Sequence, residues 1–176
     1  METLNNTLDR PQIKRNKNLA ANGMHISSIN DLIVKNTTRA QTEIFEKIIN
    51  WNLDREKMYC ANHLGYGHPE HLDEMEVEYK KFMFLVCAYH DQVIPISEKV
   101  DDLWHAHVLH TRRYEEFCEH VFGRQIYHNP TVSDEENYAL RPDYERNTLT
   151  LYKKHFGSPP VKFWLDISPT GACCTH

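Results

Sequence analysis

The strongest constraint on the fold of this chain is the period of its apolar residues: where they cluster they recur every three or four positions, and no segment alternates as a strand would. From Pro69, a residue tolerated at the first position of a helix, the stripe Leu72, Met75, Tyr79, Phe82, Met83, Val86 and Tyr89 predicts a long core helix. Ala40, Ile44, Ile48 and Trp51 predict an earlier one over about Thr38–Asn52, and a shorter helix around Ile29–Val34 precedes it. A third is predicted from Ser97, a suitable N-cap, to Phe122, with Gly123 supplying the left-handed residue that ends many helices. Its inward face reads Val100, Trp104, His107, Thr111, Tyr114, Cys118 and Val121. The pattern Ser133-x-x-Glu136 opens a further helical stretch as a capping box, which Pro142 interrupts before Asp143–Phe156 resumes. The proline-bearing end, Ser158–His176, reads as an extended strap docked by Phe163 and Trp164. The expected fold is therefore all-α: one irregular bundle of about five helices spanning residues 26–176, with a polar N-terminal tail over 1–25.

Composition narrows the function classes. A chain of 176 residues is long enough to bury roughly 70% of the surface its unfolded form exposes. Its net charge of −5 argues against nucleic acid, which draws much of its affinity from Lys and Arg surfaces. Met1–Gly23 lacks the apolar segment of a secretion signal, and no run approaches the ~20 apolar residues of a membrane helix, so a cytoplasmic setting away from membranes is expected. The 5 cysteines are odd in number and scattered, unlike a disulfide framework. No G-x-S-x-G, H-E-x-x-H, P-loop or dinucleotide fingerprint occurs. The count of 12 histidines is high, and their placement carries the functional argument.

The densest cluster is Asp101-Asp102-Leu103-Trp104-His105-Ala106-His107-Val108-Leu109-His110. Neutral imidazole is a common ligand for zinc, copper and iron. At 100° per residue His105 and His107 point about 160° apart, so a regular helix does not let both chelate one ion. His107 and His110 do share a face, as do Asp101 and His105, and a local π-bulge would re-aim His105 or His107. His128, in the loop Arg124–Thr131, lies where it could fold back over the end of this helix. A packed core histidine accounts for His107 equally well, and favourable first-turn charge accounts for Asp101 and Asp102. Cys173, Cys174 and His176 offer soft ligands at a terminus whose simplest reading is fraying.

From about Tyr79 to Gly157 the chain resembles the glycine-rich domain-containing protein-like family. The resemblance is carried by Tyr79-Lys80-Lys81-Phe82, Pro95-x-Ser97-x-x-Val100-Asp101, Trp104-His105-x-His107-x-Leu109-x-Thr111-Arg112-x-Tyr114, Cys118 with Phe122-Gly123, and His128-x-Pro130. It implies that Asp101, Trp104, His105, His107, Tyr114 and His128 carry the family pattern; His110 stands outside it, and Pro142 departs from the continuous helix expected there. An Asp with three His looks like a metal centre.

The expectation is a metal-dependent enzyme acting on a small molecule or peptide. His105, His107 and His128 are its metal ligands, Asp101 ligates or orients a histidine, and Tyr114 lines the pocket. Copper- or iron-dependent oxidative tailoring is favoured over zinc-assisted hydrolysis. Two alternatives remain open at this level: a non-catalytic helical interaction module with buried structural histidines, and a metal-binding protein without turnover.

Overall fold

The long apolar stripe becomes the hub of the molecule. In the computed structural model, which describes residues 36–165, helix α3 (Asp73–Ala88) buries Met75, Tyr79, Phe82, Met83, Phe84, Leu85 and Val86 around much of its circumference. Packed on it are α1 (Arg39–Asn50), α4 (Glu98–Leu109) and α7 (Thr150–Phe156), while α2 (Asp54–His63) and α5 (Thr111–Phe122) lean on α4. Helix α6 (Asp134–Asp143) leads into α7, and a single helical turn, α8 (Val161–Trp164), packs against α4. The described residues are all-α, with no strand.

Local chemistry sets most boundaries where the sequence predicts them. Thr38 caps α1 in a capping box with Gln41, and Gly123 takes φ 64° to end α5. Pro69 opens a 3-10 turn, Pro69–Leu72, that runs directly into α3. Ser97 precedes α4, but its hydroxyl is buried without a hydrogen-bond partner and makes no cap bond.

Three expected elements take a different form, and α2 has no expected counterpart. The third predicted helix is two, broken at His110, whose φ/ψ of −85°/56° leave the helical region. His110 Nδ1 lies 2.7 Å from the carbonyl of Ala106, the acceptor its own N–H would use in an uninterrupted helix, and that N–H turns to His107 instead. Past Pro142 the chain stays helical by widening into a π turn, Tyr144–Leu149. This turn is tied to the segment entering α4: Thr148 Oγ1 donates to the carbonyl of Pro95 at 2.7 Å and Asn147 Nδ2 to that of Val93 at 2.9 Å. Of the expected strap Ser158–His176, residues 166–176 lie outside the described residues; the described part docks through Trp164, as a turn of helix. Trp164 Nε1 and Tyr152 Oη both donate to buried Glu78 Oε2, at 2.7 and 2.6 Å, while Lys81 Nζ meets Oε1. That pairing satisfies a carboxylate which burial alone would penalise. The polar tail, the short helix near Ile29–Val34 and the Cys173–His176 terminus lie outside the described residues.

Candidate metal centre

Helix α4 divides its own cluster between two faces. Asp101 and His105, four residues apart, share one side, and Trp104 and His107 enter the core. The left-handed turn at Gly123 sends the following loop back over α4, and buried Ile126 anchors it. Tyr114 Oη donates to the carbonyl of Ile126 at 2.8 Å and accepts from Trp104 Nε1 at 3.0 Å. Two residues beyond Ile126, the His128 ring lies against Trp104 with centroids 4.2 Å apart.

So placed, His128 Nε2 sits 2.9 Å from Asp101 Oδ1. An ionised carboxylate only accepts, so Nε2–H donates, and a neutral ring then carries its lone pair on Nδ1. Nδ1 is buried and has no hydrogen-bond partner. The ring of His105 also stacks with that of His128, at 4.4 Å and 18°, and His105 Nδ1 lies 3.9 Å from Asp101 Oδ2. Asp101, His105 and His128 each offer a ligand atom within 4.8 Å of the others. The Asp101 side chain is 2% exposed and that of His128 4%, against 38% for His105, so the group is walled on the inside and open at one ligand.

His107, expected among the metal ligands, stands apart from this group. The regular geometry of α4 carries it to the opposite side, fully buried. There its Nδ1 is 2.9 Å from Tyr79 Oη, and its ring meets the rings of Tyr114 and Phe117 edge-on or tilted. Burial, with the positive charge of Arg113 acting in the same direction, pushes its pKa down to about 3. This is a neutral core imidazole, the alternative that the spacing left open. His107 Nε2 has no hydrogen-bond partner. Tyr114, expected to line a pocket, does border the depression beside His128, but its hydroxyl is engaged in holding the loop.

Two contributions were not legible from spacing. Trp104 reads as a core anchor, and it is also the platform on which His128 rests. Tyr66, in a Gly-flanked loop after α2, hydrogen-bonds Asp102, and desolvation together with that carboxylate raises the tyrosine pKa. Asp102 is thus held by a partner distant in sequence and turned to a different role from Asp101.

Residues 45–145 match the family described as UCP032817-like, more than half of the chain and the whole of the cluster just described. The chain belongs to the UCP032817-like family. Neither curated proteins nor solved structures give a match. The family description names no reaction, so the chemistry rests on the geometry of Asp101, His105 and His128.

Proposed function

We propose that this UCP032817-like protein is a metal-dependent enzyme whose centre is formed by Asp101, His105 and His128. The observation that carries this reading is a buried carboxylate with two imidazoles gathered about it. A divalent ion held between the carboxylate and the rings would add charge compensation to the hydrogen bond that Asp101 already has from His128. Two His and one carboxylate form the set typical of non-haem Fe(II) sites with open positions, and the same set serves zinc. With His107 in the core, the third imidazole that would favour copper is missing from the group. Iron-dependent oxidation is therefore the leading form of the proposal, and zinc-assisted hydrolysis follows.

A bound ion would supply Lewis acidity or a redox couple at this place. The chain itself contributes the rest. Asp101 would ligate the ion in place of its hydrogen bond to His128, whose Nε2 proton would leave to solvent as that nitrogen turned to the ion, while Trp104 and Tyr114 hold the His128 ring in place. The near-parallel rings direct their in-plane lone pairs alongside one another, so His105, the exposed member, would have to rotate to complete the set. Its exposure provides the opening through which a small-molecule or peptide substrate enters. The resemblance to the glycine-rich domain-containing protein-like family supports the same positions. The free cysteines Cys60, Cys87 and Cys118 fit a cytoplasmic setting.

A second reading has its own support: the 2.9 Å hydrogen bond and the Trp104 stack also suit a clamp that only fastens the loop to α4. Titration with Co²⁺ followed by visible absorption separates the two. The enzyme reading expects one equivalent bound, d–d bands that change when azide is added because a coordination position is open, and loss of binding in Asp101→Asn. A spectrum indifferent to azide would indicate a closed site without turnover, and no saturable uptake would leave the clamp.

A further inference from the structure

His128 forms one wall of an open depression of about 210 Å³. Val108 and Thr111 line it from the α4–α5 junction, Glu115 lies one turn further along α5, and Gln125 and Tyr127 come from the returning loop. Thr111 and Glu115, four apart, project from the same face of α5.

Among the described residues that line it, Glu115 alone is an Asp, Glu, Lys or Arg. Glu115 is exposed and, among the described residues, has no ion-pair partner. The two cations next to Thr111 on α5 are committed elsewhere: Arg112 Nε pairs with Glu116 at 3.1 Å, and Arg113 Nε with buried Glu56 at 2.8 Å. Tyr127 exposes 63% of its surface at the same place. A carboxylate without a counter-ion beside an aromatic ring recognises organic cations, through charge on one side and the ring's negative face on the other. Gln125 and Thr111 add neutral hydrogen-bonding groups, and among the described residues no Lys or Arg lines the walls to attract an anion.

We propose that this depression takes the ammonium or guanidinium group of the substrate, with Glu115 as its counter-ion and Tyr127 as its aromatic wall. The assignment of this ligand as a substrate rests on the metal-centre reading, since it is His128 that joins the two. Binding of the cation itself does not.

The test is an amide-resolved NMR titration of the metal-free protein with three probes that differ at one end: tyramine, neutral 4-ethylphenol and anionic 3-(4-hydroxyphenyl)propionate. Tyramine is expected to shift the amides of Thr111, Glu115, Gln125 and Tyr127 saturably, and the other two at least about fivefold more weakly. Glu115→Gln, an exposed change that leaves the core untouched, is expected to abolish that preference. The blocked peptide acetyl-Gly-Lys-Gly-amide, run beside tyramine, decides whether the cation comes from a small amine or a peptide side chain. Equal response to all three phenols, or an unchanged tyramine preference in Glu115→Gln, would overturn the inference. Because these arms use metal-free protein, a failure of the centre to bind metal leaves them standing, and metal binding without cation preference defeats this inference alone. With the centre loaded with Co²⁺, the methylene protons of bound tyramine should broaden. Sharp lines there would separate the cation site from the centre and refute its assignment as the substrate pocket.

Discussion

Replacing His107 with Asn should flatten the acid sensitivity of the protein by an amount that follows from its burial. The native imidazole stays neutral until about pH 3, whereas in the unfolded chain it titrates near an ordinary value of about 6.5. As pH falls below 6.5 the unfolded state takes up a proton that the native state refuses. The stability this neutral histidine provides is therefore complete above about 6.5 and drains away as pH drops toward 3, at about 1.4 kcal/mol per unit. Between pH 7 and pH 5 the loss is about 2 kcal/mol. Asn does not titrate and keeps a polar atom near the Tyr79 hydroxyl that His107 Nδ1 now meets. The space it vacates costs the same at both pH values and cancels in the comparison. Urea unfolding monitored by circular dichroism at pH 7 and pH 5 measures the effect, with the variant expected to lose about 2 kcal/mol less than the wild type over that interval. An identical loss in both proteins would mean that native His107 protonates normally, and the assignment of a sealed core imidazole would be refuted.

Three other expectations concern the site and its supports. Tyr114→Phe removes the hydroxyl shared by Trp104 Nε1 and the Ile126 carbonyl; it should cost about 1–3 kcal/mol in unfolding experiments and weaken Co²⁺ binding by about tenfold or more through a loosened His128. A double-mutant cycle of Asp101→Asn and His128→Ala, read by urea unfolding without metal, should return a coupling of about 1–3 kcal/mol for a buried, charge-assisted hydrogen bond; strictly additive losses would deny the contact. Trp164→Ala should destabilise by about 3–5 kcal/mol, because it empties a packed position and leaves Glu78 Oε2 short of a donor, and a change within 0.5 kcal/mol would show that the terminal turn is not docked.

The helices themselves were legible because their signals are local. The apolar stripe of α3 and the left-handed Gly123 act over a few residues, and each appears where the pattern puts it. The break at His110 was not legible, since it depends on a side chain taking the carbonyl of Ala106 from the backbone. Nor was α2, whose ten residues carry only a faint apolar face and bury Glu56 and Lys57 against charged partners. At the site, the spacing of Asp101 and His105 anticipated their shared face and the separation of His105 from His107. Whether His107 faced an ion or the core turned on Tyr79, far away in the sequence. His128 could be suspected but not placed, because its position depends on the loop fastened by Tyr114 and on the Trp104 ring beneath it.

The central claim, that Asp101, His105 and His128 hold a metal ion, is most directly tested by elemental analysis of the purified protein free of any polyhistidine tag, reconstituted in turn with Fe²⁺, Zn²⁺ and Cu²⁺ and then desalted. About one equivalent of iron or zinc, retained in His107→Asn and lost in both Asp101→Asn and His128→Ala, is the predicted result. No retained metal under any of the three ions, or retention undiminished in Asp101→Asn and His128→Ala, would contradict it.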